Sequence, residues 1–121
     1  METALIVEDS PTQRGIITGY LQQLGINVVV ANSGEEALEK IETTSPNLIV
    51  LDVVLPGRSG FEICRDLKSQ DKTKGIPIII CSTKDSEMDK FWGMKQGANA
   101  YLAKPLNQDE FIRTVKQLIN L

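Results

Sequence analysis

Leu48-Ile49-Val50-Leu51-Asp52-Val53-Val54-Leu55-Pro56-Gly57 is the stretch on which the fold turns. Its four leading residues are apolar without alternation. That pattern suits a strand covered on both faces, as the strands of a parallel sheet are. The run stops at a carboxylate, Asp52. Pro56-Gly57 is a turn dipeptide, so the Asp52 side chain is kept at an open rim.

Four further runs read the same way: Ala4–Val7, Val28–Ala31, Ile76–Cys81 and Tyr101–Ala103. Pro77 belongs at the start of its strand, since proline cannot donate to a central ladder. Between the runs lie helix-start signals. Ser10/Gln13 (with Pro11 at the first helical position), Ser33/Glu36, Ser59/Glu62 and Asn107/Glu110 all have capping-box spacing. A fifth helix is predicted over Asp85–Gln96, stopping at Gly97, and Gly25 and Gly75 are expected to end two others. Phe111, Val115 and Leu118 mark the buried stripe of the last helix. The same need to bury a stripe predicts Phe91 in the core. Trp92, about 100° further round, is left open between core and surface.

Strands alternating with helices imply a parallel sheet with right-handed crossovers and helices on both faces. The whole chain, 1–121, reads as one domain with no linker, repeat or appended output domain. Hydrophobic residues are 41% and charged ones 24%, the balance of a globular protein rather than a disordered or coiled-coil one. No apolar run approaches the ~20 residues of a membrane helix. Lys plus Arg is 13 against 16 Asp plus Glu, a net charge of −3. Direct nucleic-acid binding, which needs a broad basic face, is not expected. There is no histidine, which excludes His-based nucleophile relays and His-ligated metal centres. Cys64 and Cys81 lack a CxxC spacing and read as buried, reduced thiols. Met1-Glu2-Thr3 leads directly into the first strand without a basic segment, so a cytoplasmic location is expected.

In parallel sheets ligands collect at the carboxyl ends of the strands. Here those ends carry Glu8-Asp9, Asp52, Ser82-Thr83 and Lys104-Pro105. Three carboxylates brought together repel one another, and a hard divalent cation such as magnesium relieves the repulsion. Taken alone, Glu8-Asp9 could equally be solvated acids near a helix start. Grouped with Asp52 and Lys104 they read as a metal site. Pro105 biases Lys104 towards an extended conformation. Its ammonium suits both a resting ion pair with Asp52 and a phosphate clamp. Ser82 is a hydroxyl donor, or simply a residue that opens a helix.

The ordered set Glu8-Asp9, Leu51-Asp52-Val53-Val54-Leu55-Pro56-Gly57, Ser82-Thr83 and Tyr101-Leu102-Ala103-Lys104-Pro105 resembles the receiver domains of two-component response regulators, from Ala4 to Leu121. The resemblance implies a flavodoxin-like, doubly wound (βα)5 α/β fold with strand order 2-1-3-4-5. It implies Asp52 as the phosphoacceptor, taking a phosphoryl group from a histidine kinase or phosphotransfer protein as an acyl phosphate. Asp9, Asp52 and the backbone carbonyl of Val54 would ligate Mg2+, with Glu8 acting through water. Lys104 would contact the phosphoryl oxygens, Ser82 would hydrogen-bond them after transfer, and Tyr101 would turn inward. A downstream protein would dock on the face of the fourth helix, fifth strand and fifth helix. Val54 and Lys84 would flank the water path that sets phosphate lifetime. Met88–Gly97, with its Phe91-Trp92-Gly93-Met94 run, is similar to regulators linked to pilus-driven motility.

Phosphoryl transfer needs in-line geometry and cations on the phosphoryl oxygens more than acid–base groups. A carboxylate nucleophile, a metal and a lysine supply these without histidine. A magnesium phosphatase working through an aspartyl phosphate fits less well. Such enzymes carry a second acid two residues after the nucleophile, where this chain has Val54, and need room for a cap domain. A flavin or nucleotide carrier would want a Gly/Ser/Thr-rich first loop, and Glu8-Asp9 repels a phosphate there. A switch, a phosphate sink for a shared kinase and a relay intermediate are not separated by sequence.

Overall fold

The computed structural model describes residues 2–121. The elements follow as β1 (Thr3–Val7), α1 (Pro11–Gln23), β2 (Asn27–Ala31), α2 (Gly34–Thr44), β3 (Leu48–Leu51), α3 (Gly60–Lys68), β4 (Ile78–Ser82), α4 (Glu87–Lys95), β5 (Ala100–Ala103) and α5 (Gln108–Leu118). All pairings are parallel, in the order β2-β1-β3-β4-β5. This is the flavodoxin-like arrangement that the resemblance implies.

The apolar runs are explained by position. In the inner strands, every residue of Ala4–Val7, Leu48–Leu51 and Ile78–Ser82 is buried. The edge strands β2 and β5 are only half covered. Side chains alternate between two cores. Leu5, Val7, Ile49, Leu51, Ile78 and Ile80 face α2 and α3. Ala4, Ile6, Leu48, Val50, Ile79 and Cys81 face α1 and α5, which contribute Ile17, Leu21, Phe111 and Val115. Burial on both sides leaves the strand interiors no room for a polar alternate residue; the exception, Ser82, closes β4 at the rim. Pro77 sits just before β4, where its carbonyl accepts the Ile49 N–H at 3.0 Å.

Ser10, Ser33, Ser59 and Asn107 each cap a helix by accepting the N–H three residues on, at 2.9–3.3 Å. The reciprocal arm is absent from these four; Glu36 instead accepts from the Asn32 N–H at 3.2 Å. The complete box lies at Ser86 and Asp89, which opens α4 two residues later than the predicted Asp85. Gly25 and Gly97 take left-handed φ values of 74° and 103° after α1 and α4. Gly75 does not end a helix: α3 stops at Lys68 with Ser69 as its cap, and Gly75 lies in the following turn. A non-glycine, Ser45 at φ 45°, ends α2.

Phe91 is not in the core. It is 57% exposed, and Trp92 is 50% exposed beside it. The reason is Gly93, the buried residue of α4. A Cβ there would stand 2.7 Å from Tyr101 Cδ2 and 3.2 Å from Ile80 Cδ1. The helix therefore meets the sheet backbone-close, and its large apolar side chains face outward.

Candidate functional site

The ladder continues one residue beyond the strands and so fixes what stands at the rim. Glu8 N–H donates to Ala31 C=O at 3.0 Å, Asp52 N–H to Val7 C=O at 3.1 Å, and Lys104 N–H to Ser82 C=O at 3.0 Å. The Lys104–Pro105 peptide that follows is cis.

These anchors bring Glu8, Asp52 and Lys104 together from three strands. The Lys104 ammonium donates to Glu8 Oε1 and, at 3.1 Å, to Asp52 Oδ2. All three side chains are at most 10% exposed. Asp52 Oδ1 accepts the amides of Val53 at 2.7 Å and Val54 at 3.3 Å, so both carboxylate oxygens are held. Glu8 Oε2 accepts the Ser10 amide at 3.2 Å. Asp9 is exposed at the mouth, with one carboxylate oxygen within 4.8 Å of those of Glu8 and Asp52. Val54, whose amide is tied to Asp52, is itself 58% exposed.

The two buried acids thus share one lysine, and the exposed Asp9 adds a third carboxylate beside them. Burial raises the Glu8 carboxyl above its ordinary range, and the Asp52 charge pushes the same way against the hydrogen bonds from Lys104 and Ser10. Burial works against the Lys104 ammonium, but its bonds to Glu8 and Asp52 outweigh that and hold its pKa above 10.5. The residual negative charge and the oxygen-only donor set fit a hard divalent cation such as magnesium.

The α3 terminus presses on this site. Gly60 N–H donates to Val53 C=O at 2.8 Å, and a Cβ on Gly60 would lie 1.9 Å from the Asp52 carbonyl oxygen. Glycine is the residue that allows the helix to approach the Asp52 backbone so closely.

Ser82 is fully buried at the end of β4. Its Oγ accepts the Lys84 N–H at 3.2 Å. The Tyr101 hydroxyl donates to the Lys84 carbonyl, while its ring lies against Gly93. Both polar groups of Lys84's backbone are thereby tied to the two residues expected to report on phosphate. Ser82 and Tyr101 are joined through this loop, and neither bonds to the Asp52 carboxylate.

Sequence reasoning passed over Arg14. It lies in α1, and its Nη1 donates to the backbone carbonyls of Glu8 at 3.1 Å and Asp9 at 3.4 Å, and to Asn32 Oδ1. A cation in the opening turns of a helix that carries no acid in its first turn runs against the helix dipole. That was the available signal.

The chain matches the response regulator receiver domain family over residues 4–116. It is 37% identical over 119 residues to Protein PilH of Pseudomonas aeruginosa, covering 98% of each chain. Among solved structures it is similar to chemotaxis protein CheY4 of Vibrio cholerae, at 32% identity and a TM-score of 0.90 over 98% of this chain and 99% of that one. The receiver domain of a sensor histidine kinase from Pseudomonas aeruginosa, described with a magnesium ion in its active site cleft, is 28% identical with a TM-score of 0.89. That match covers 99% of this chain and 98% of the other.

Proposed function

The chain belongs to the response regulator receiver domain family of two-component signalling, and we propose that within it Asp52 is the phosphoacceptor of a magnesium-dependent switch. The observation that carries the proposal is the Asp52 carboxylate itself. It is buried at a strand end, held by two backbone amides and by Lys104, and flanked by Glu8 and Asp9.

An Asp52 carboxylate oxygen attacks the phosphorus of a donor phosphohistidine. A P–O bond forms, the P–N bond breaks, and the donor imidazole keeps the electron pair. The Val53 and Val54 amides orient the nucleophile. Lys104 offsets charge on the phosphoryl oxygens, where a preorganised cation acts most strongly. Glu8, Asp9, Asp52 and the Val54 carbonyl would hold Mg2+, which supplies further charge neutralisation at those oxygens.

Phosphate beside Ser82 adds negative charge and acceptor oxygens. The Ser82 hydroxyl turns to meet it and releases the Lys84 amide, and Tyr101 follows the loop. The change is a biased two-state equilibrium whose gain is set by the differential contacts. The readout is a protein partner docking on α4–β5–α5, where Met88, Phe91 and Trp92 are exposed. The similarity to PilH and to a chemotaxis protein supports a role in motility or taxis. On this reading the chain acts as a receiver in the cytoplasm, charged by a histidine kinase or phosphotransfer protein. No helix among the described residues is long and apolar enough to cross a membrane.

The test is incubation with acetyl phosphate and magnesium, followed by intact mass. Wild type gains one base-labile phosphate and Asp52→Asn gains none. Equal labelling of the Asn variant would place the acceptor elsewhere.

A further inference from the structure

We propose that Arg14 is a positioning residue for the magnesium site, tying the backbone of both acids at the end of β1 to the β2–α2 loop so that their carboxylates face Asp52. The inference rests on the reading of Glu8, Asp9 and Asp52 as the metal-binding acids.

Arg14 is half-buried, and its bonds go to three neutral oxygens, none of them a carboxylate. No acid among the described residues forms an ion pair with it. A guanidinium next to three acids would ordinarily seek a carboxylate, the partner its fork geometry matches. Here it takes the carbonyl side of Glu8 and Asp9. That leaves their carboxylate oxygens unclaimed by the guanidinium and grouped with those of Asp52. Its charge reduces the repulsion within the cluster without occupying a ligand position.

The other end of the tie is firm. Asn32 accepts from Arg14 through Oδ1, and its own N–H donates to Glu36. Glu36 pairs with Lys40 at 2.9 Å, and Lys40 donates to the Val30 carbonyl. The acids are thereby referenced to β2 and α2, and the loop that bears them is not left to its own flexibility. Lys104 takes Glu8 from the opposite side. Groups that orient metal ligands in this way typically set affinity by about 10–100-fold.

The experiment is magnesium titration of the unphosphorylated protein by calorimetry, for wild type, Arg14→Ala, Arg14→Gln and Asn32→Ala, with thermal melts alongside. The magnesium Kd is expected to rise about 10-fold in Arg14→Ala, with a smaller rise in Asn32→Ala, which keeps the carbonyl bonds. Acetyl phosphate labelling is expected to recover to the wild-type rate at saturating magnesium. A variant that melts lower but binds magnesium within two-fold of wild type would overturn the positioning role. So would a labelling rate that stays depressed at saturation. If Arg14→Ala does not fold, Arg14→Gln decides on the same criteria. Wild type that binds no magnesium would overturn the metal reading itself, a result distinguishable from normal binding that is indifferent to residue 14.

Discussion

Gly93→Ala changes one hydrogen for a methyl at the point where α4 touches the sheet. The new Cβ would lie 2.7 and 2.8 Å from Tyr101 Cδ2 and Cε2. Ordinary carbon contacts begin near 3.5 Å. Overpacking of this kind costs about 1–3 kcal/mol. Alanine also brings a helix-propensity gain of about 1 kcal/mol over glycine. The same exchange at Gly19 in α1, where nothing lies within 4 Å of an added Cβ, isolates that gain. Gly19→Ala should therefore stabilise by about 0.5–1 kcal/mol, and Gly93→Ala should fall below it by about 1–3 kcal/mol, the clash alone. The Tyr101 ring can escape by rotating outward. It then gives up its bond to the Lys84 carbonyl, a loss of about 0.5–1.5 kcal/mol, together with its packing against α4, so the deficit persists by this route as well. Urea midpoints at constant m measure the difference. Nuclear Overhauser contacts from the Tyr101 ring to residue 93 show which route is taken. If Gly93→Ala proves as stabilising as Gly19→Ala and the ring contacts persist, the packing account of α4 is wrong.

Millimolar magnesium should raise the melting temperature by mass action on the native state, and Asp9→Asn should blunt that rise; identical magnesium responses in the two proteins would remove Asp9 from the site. Lys104→Met leaves Glu8 and Asp52 facing each other without their cation, and chemical unfolding in the absence of magnesium should show a loss of about 3–5 kcal/mol, as for other broken buried pairs; a loss below 1 kcal/mol would mean the three groups are effectively solvated. Burial, aided by the charges of Asp89, Asp52 and Asp85, pushes the Tyr101 phenol from 10.0 up to about 12. The folded chain keeps this proton where the unfolded chain loses it, so the contribution is complete below pH 10 and is lost as pH rises from 10 towards 12. The stability gap between wild type and Tyr101→Phe should narrow across that window, and a gap independent of pH would contradict the burial of the phenol.

The inner strands were legible because burial on both faces forbids polar residues, and the rim acids because each directly follows such a run. Ser10, Ser33, Ser59 and Asn107 were legible because a cap is a local transaction between a side chain and an amide three residues on. What escaped depended on contacts without a pattern. The expectation of Phe91 in the core presumes that a helix packs through its large residues, whereas α4 packs through Gly93. The start of α4 was missed because Asp89, not Glu or Gln, closes its box. Gly75 carries the local signal of a helix end although it lies at the far side of the turn that separates α3 from β4. Arg14 bonds to carbonyls, which every residue carries, so its partners leave no trace in sequence. The strand order came with the resemblance, since nothing in local pattern dictates that β1 lies between β2 and β3.

The crowding at Gly60 and that at Gly34 have different consequences for which sequences can encode this domain. At Gly34 the obstacles to a Cβ are Cδ1 and Cγ1 of the Ile63 side chain, 2.5 and 2.6 Å away. Position 34 can therefore accept alanine if position 63 shortens to alanine, which removes both atoms, and the two columns of a combinatorial library should covary. At Gly60 the obstacles are the carbonyl oxygen and carbon of Asp52, at 1.9 and 2.8 Å, and the Cα of Val53 at 2.9 Å. Those atoms are common to all twenty amino acids, so no second substitution opens the space. Saturation mutagenesis scored for phosphorylation should leave column 60 with a single letter, whatever is allowed to vary around it.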